Sequence, residues 1–174
     1  ADFLASIRDQ AKRVGARLSP QQQKILDKIK AEHSQAAMVE KAEWATEYCQ
    51  NHIEDAKIVA RYYNGTPYFT DAANSILNND SYVPSMNLYN KMCKNRYAQK
   101  VLAASRSDAK YPVGTSIIVR RDMRFLKNGG VILSVTEPIV SATKGCKRYK
   151  VLPYDSATPI LVEERDIKLF KRKK

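Results

Sequence analysis

At Pro112 the hydrophobic pattern of this chain changes period, and no single class of fold accommodates both sides of that switch. Before it, apolar residues recur every three or four positions, the spacing of one helix face. After it, apolar residues alternate with polar ones or run in short blocks bounded by turn residues, the mark of strands. The pattern predicts an α+β protein, with a helical N-terminal region over 1–105 followed by a small five-stranded β-module over 112–171 and a basic tail at 172–174.

The helical part reads in detail. Phe3, Leu4, Ile7, Ala11 and Val14 mark a first helix. Ser19-Pro20-Gln21-Gln22 starts a second: Ser19 can cap, Pro20 suits the first helical position, and Gln22 completes a capping box. Its stripe is Ile25, Leu26 and Ile29, with a pause near His33-Ser34. A long helix is expected over 36–63, closed by Asn64-Gly65-Thr66-Pro67 with Gly65 in a left-handed exit. Thr70 is placed to cap a helix over 71–77. A further helix runs from Val83-Pro84-Ser85 to near Ala104, and 105–111 reads as a linker.

Strands are expected at 115–121, at 131–136 with an extension over 139–143, at 147–152, at 160–162 and at 168–170. Asn128-Gly129-Gly130 and Lys144-Gly145 are the turn signals. Five short strands with a single turn before the last suggest an SH3-like β-barrel. Val113 through Val119 looks like the opening strand of such modules, and Gly130-Val131-Ile132-Leu133-Ser134-Val135 is similar to their second. Arg148-Tyr149-Lys150-Val151-Leu152 resembles the third, and Val162 through Leu169 resembles the fourth strand, tight turn and fifth. The resemblance is to the group containing Tudor-like, KOW-like and CarD-type modules and covers about a third of the chain, residues 112–171. It implies a binding module. Upstream, Tyr68-Phe69, Tyr82-Val83-Pro84-Ser85, Tyr89, Lys91-Met92, Asn95-Arg96-Tyr97-Ala98 and Lys100-Val101-Leu102 look like helical segments of small phage-encoded proteins, which implies a viral accessory factor.

Charge narrows the partner. Residues 112–174 carry fourteen basic and six acidic side chains, a net +8 of the chain's +12. Such an excess repels itself, and a bound polyanion relieves it. Arg120, Arg121, Arg124 and Lys127 surround the first long loop of the β-module. Lys144, Lys147, Arg148 and Lys150 surround its second turn and third strand, so the two sets are expected to converge on phosphates. Tyr149 among these cations either stacks on a base or packs in the core. The helices within 70–104 have the outline of a helix-turn-helix, with Asn87, Lys91, Lys94 and Asn95 on one face, residue types that reach base edges and phosphates.

Other chemistries find little in this chain. It has no Gly-rich phosphate loop, nucleophile elbow or paired zinc-hydrolase histidines. Glu40, Glu43 and Glu47, one turn apart, could seed a metal-dependent nuclease site, but they read first as a solvated helix face, and alternatively as an acidic stripe that mimics phosphate or docks a basic protein surface. Cys49-x-x-His52 lacks the second half of a zinc site. No catalytic residue, metal or cofactor is therefore expected. Three scattered cysteines point to a reducing compartment. No apolar run approaches the roughly 18 residues of a membrane span, and Ala1-Asp2-Phe3-Leu4 lacks the charged start of a secretory signal, so the expected location is cytoplasmic.

The sequence thus predicts a non-enzymatic nucleic-acid-binding accessory protein. Double-stranded DNA is preferred over RNA, because aromatic stacking platforms are sparse in the β-module. The alternative is a protein-interaction module docking on a transcription, replication or translation machine, such as a polymerase.

Overall fold

The computed structural model describes residues 5, 7, 9, 12, 17–120 and 126–170. Most of the first expected helix and the basic tail at 172–174 lie outside the described residues. The chain forms two compact units, Ala1–Glu47 and Tyr48–Lys174. The class is α+β: helices come first and a five-stranded antiparallel sheet follows.

In the first unit, α1 spans Pro20–Glu32 and α2 spans Gln35–Glu47. The capping box at Ser19 forms as the sequence dictates. Gln22 N–H donates to Ser19 Oγ at 3.2 Å, and Ser19 N–H donates to Gln22 Oε1 at 2.9 Å. The pause near His33-Ser34 is real, and Ser34 Oγ accepts from Ala37 N–H to start α2. The expected stripe of α1 is not buried: no residue of this helix is, and Ile25 is exposed.

The second unit opens with a π-helical turn, Tyr48–His52, which runs into α3, Ile53–Tyr63. The predicted helix over 36–63 is thus interrupted by one wider turn. Tyr48 is buried, and its ring packs edge-on against Tyr89 at 6.0 Å. After α3 the chain forms α4, Thr70–Asn78, then α5, Met86–Cys93, and α6, Arg96–Arg106. The single helix expected from Ser85 to Ala104 is therefore two. Asn95 breaks it, because its side-chain oxygen accepts from Tyr97 and Ala98 N–H, both at 3.0 Å, as an N-cap. Arg106 ties α6 to α3, with Nη2 2.6 Å and 2.7 Å from the two carboxylate oxygens of Asp55.

The sheet contains β1, Ser116–Val119; β2, Gly130–Glu137; β3, Arg148–Pro153; β4, Ile160–Glu163; and β5, Ile167–Leu169. Its order is β4-β3-β2-β1-β5, a meander whose last strand returns beside the first. β4 and β5 are its two edges, so the pairing that would close a barrel is not present among the described residues. The extension over 139–143 is not a strand. Gly129 adopts φ 84°, and a Cβ there would fall 2.6 Å from Ile117 O, so this turn requires glycine.

The sheet's core gathers Tyr111, Ile117, Leu126, Ile132, Tyr149, Val151, Val162 and Ile167. A second cluster joins Val101 of α6 to Ile139 and Cys146 of the β2–β3 connection, with Ile58 and Tyr62 of α3 packed on it. That shared cluster is why α3–α6 and the sheet form one unit, and why the division falls at Glu47/Tyr48 rather than near 105–112. The segment expected as a linker belongs to the packing. Ala109 lies against the sheet core, and Lys110 N–H donates to Tyr149 Oη at 3.1 Å.

Candidate nucleic-acid interface

Among the described residues, three of the sequence-predicted barrel cations, exposed Arg120 among them, are bonded to backbone carbonyls. Arg120 is held to the start of β5: its Nε donates to Ile167 O and its backbone N–H to Asp166 O, both at 2.7 Å. Lys147 Nζ donates to Ala104 O at 3.4 Å and to Ser107 O, so this ammonium caps the carbonyl end of α6. Arg148 donates to Pro138 O at 3.2 Å. It also stands in register between Glu137 of β2 and Glu163 of β4. Lys127, Lys144 and Lys150 are exposed. Arg121 and Arg124 lie outside the described residues.

The two basic segments are both bonded to one turn that the charge count does not single out, through backbone groups rather than through a gathering of their cations. The 3-10 turn Glu164–Asp166 receives Arg120 on one side, through the bonds to Asp166 and Ile167. On the other, Glu164 and Arg165 N–H donate to Lys147 O at 2.8 Å and Gly145 O at 3.0 Å. Gly145 has φ 70° and sits against the Arg165 backbone, so the turn bearing Lys144 is fixed by a residue with no side chain. The turn itself brings carboxylates: Arg165 Nε lies 2.6 Å from Glu163 Oε2 and 4.0 Å from Asp166 Oδ2.

Beside it, a cavity of about 360 Å³ runs between the last turns of α6 and the β2–β3 connection. Lys100, Lys144 and Lys147 line it together with Ser107, Thr143 and Glu164. No charge run or spacing in the sequence links Lys100 to the other two. Its position one turn before Ala104, on the helix end that meets the Lys144 turn, is visible only in three dimensions.

Tyr149 is fully buried, which closes its ring to a stacking base. Its hydroxyl donates to Glu164 Oε2 at 2.6 Å and accepts from Lys110 N–H. Burial, with the Glu164 carboxylate second, pushes the phenol well above its ordinary range, so it stays protonated. Of the two roles open to Tyr149, the structure places it in the core.

The helix-turn-helix outline does not hold, since three helices occupy 70–106. Asn95 is not a base reader. Besides capping α6, its Nδ2 donates to Tyr63 Oη at 2.7 Å, Met92 O at 2.8 Å and Lys91 O at 2.9 Å. Lys91 and Lys94 are exposed at the end of α5.

Lys91 and Asn95 belong instead to a second cavity, of about 460 Å³. Its walls are the rings of Tyr62, Tyr63, Tyr68, Phe69 and Tyr97. Tyr63 stacks edge-on with Tyr62 at 4.8 Å and with Phe69 at 5.0 Å. Burial raises the Tyr63 phenol, which stays neutral. The loop that presents Phe69 is strained. Phe69 has φ 54° and ψ 24°, a left-handed conformation costing on the order of 1 kcal/mol for a residue with a Cβ. Gly65, expected to take that conformation, does not. Thr70, expected as the cap of α4, is its first residue, and its Oγ1 donates to Thr66 O at 3.3 Å. Thr66 braces the same loop, with Oγ1 3.0 Å from Tyr63 O.

Among the described residues, no helix is long and apolar enough to cross a membrane. Compared with protein-family models, with curated proteins and with solved structures, the chain matches none significantly. The chemistry of its own surfaces is what speaks for its role.

Proposed function

We propose that this protein is a non-enzymatic nucleic-acid-binding accessory factor that contacts the phosphates of double-stranded DNA. The observation that carries the reading is the meeting of Lys100, Lys144 and Lys147 on one cavity, with a single carboxylate, Glu164, among its lining residues. Lys147 is pinned by helix carbonyls, while Lys100 and Lys144 are exposed. A preset ammonium beside two adaptable ones suits a chain of phosphates, and the hydroxyls of Ser107 and Thr143 add hydrogen-bonding capacity. The net charge of +12 supplies the longer-range attraction. The SH3-like reading of the sheet belongs to the same proposal and is supported by its strand order.

The test is the salt dependence of binding to a generic DNA duplex. Affinity should fall steeply with salt. The doubly substituted Lys100→Ala, Lys144→Ala protein should show a slope shallower by about 0.9 for each phosphate it no longer neutralises. An unchanged slope and affinity would overturn the assignment of this cluster.

A second reading, docking on a protein partner, is favoured by one observation. On the outer face of the sheet, exposed Leu161 stands in register with Lys150, and exposed Leu133 sits at the irregularity between Ile132 and Ser134. Capture of a partner protein that survives nuclease treatment and is abolished by Leu161→Asp would support it.

A further inference from the structure

We infer that the aromatic cavity walled by α3, the 64–69 loop and the start of α6 is a binding site for an unpaired nucleotide. This goes beyond the phosphate binding proposed above and rests on different residues. Tyr68 is 68% exposed and Tyr97 48% exposed, so two large rings face solvent at the mouth, where burial would normally be favoured. Behind them Tyr63 is fixed from two sides, by Phe69 through ring packing and by Asn95 through the 2.7 Å bond to its hydroxyl. The site is therefore preformed: a rigid aromatic floor with two accessible rings at its edge.

The charges of the rim select the ligand. Among the described residues lining the cavity, Lys91 alone carries a formal charge. Arg96 places its guanidinium 4.9 Å above the Tyr97 ring, and its Nη2 donates to Tyr97 Oη at 3.3 Å. A methylated ammonium or other cation would meet like charge and no carboxylate. A flat ring bearing an anionic group meets both of its needs, stacking on tyrosine and pairing with Lys91 or Arg96. Nucleobases stack on aromatic side chains with little regard to identity, and arginine beside the platform adds to the attraction. A paired base within a duplex cannot enter, because its faces are already covered by neighbouring bases. The occupant is a free nucleotide or an exposed base of a single strand.

The experiment compares a labelled short oligothymidine strand with an abasic strand of equal length and charge, by fluorescence anisotropy at fixed salt. The native protein should bind the thymidine strand about tenfold or more tightly than the abasic one. Tyr68→Ala and Tyr97→Ala should bring that ratio towards one, while Tyr97→Phe, which keeps the ring, should preserve it. Both substituted positions are exposed, and an unchanged melting temperature confirms that the fold is retained. Displacement of the strand by thymidine monophosphate identifies the free nucleotide as a sufficient ligand. A strand preference that the nucleotide does not compete away identifies the strand as the occupant. Equal binding of the two strands by the native protein, or a preference that survives Tyr68→Ala and Tyr97→Ala, overturns the proposal. The Lys100→Ala, Lys144→Ala protein separates it from the phosphate reading, since it should weaken both strands together and leave their ratio intact.

Discussion

The Tyr149 hydroxyl donates a 2.6 Å hydrogen bond to Glu164, joining the third strand to the 3-10 turn that precedes the last. Through Lys110 N–H on the same oxygen, the segment leaving α6 is held to that point as well. One phenol thus connects three parts of the unit, and the cation-bearing turn at Gly145 hangs on the same 3-10 turn.

Replacing Tyr149 by Phe keeps the ring in the core and removes that connection. The Glu164 carboxylate and the Lys110 N–H are left without their partner. The expected cost is about 1–3 kcal/mol of folding stability, measured by urea unfolding. Duplex DNA affinity under folded conditions should stay within about twofold, because a stacking residue would cost far more than that on substitution and this ring takes no part in stacking.

Asn95 divides α5 from α6 and anchors Tyr63 at once. Asn95→Ala should destabilise the protein by about 1–2 kcal/mol through loss of the cap. Asn95→Asp retains acceptors for Tyr97 and Ala98 N–H but loses the amide donations, so its unfolding midpoint should fall between those of the native and alanine proteins. A midpoint for the aspartate variant at or below that of alanine would show that the donations dominate.

Alkaline pH should unfold this protein before an ordinary surface titration would. Burial raises the Cys93 thiol from 9.0 to about 12, and the Tyr48 and Tyr89 phenols from 10.0 to about 12. Each group ionises more readily in the unfolded chain, so above pH about 9 the unfolded state binds fewer protons and stability falls with rising pH. The contribution is fully present below the unfolded values and is lost as pH climbs towards about 12. Denaturant unfolding across this range should show a falling midpoint. Cys93→Ala should lower stability throughout and flatten the decline that begins near the ordinary thiol value.

Local signals are legible from the residues alone. Ser19 and Gln22 lie three apart and satisfy each other's backbone, so α1 begins where the sequence places it. The change of period at Pro112 separates helix from strand because side-chain alternation is a property of each segment by itself. The Asn95 break is also local, an N-cap amide, yet it is hidden inside an apolar repeat that continues from Leu88 to Val101 with helical spacing and has no Gly or Pro to punctuate it.

The linear order of residues therefore determined the helical-then-strand character, the caps and turns, and the excess of positive charge, because each depends on neighbours a few positions away. Tertiary structure decided which charges are available and which are held. It set Arg148 between two glutamates, turned Lys147 onto the end of α6, buried Tyr149, and brought Lys100 to Lys144 and Tyr68 to Tyr97. Those relations follow from chain segments packing across long separations, where burial and hydrogen-bond satisfaction act on pairs that no local pattern connects.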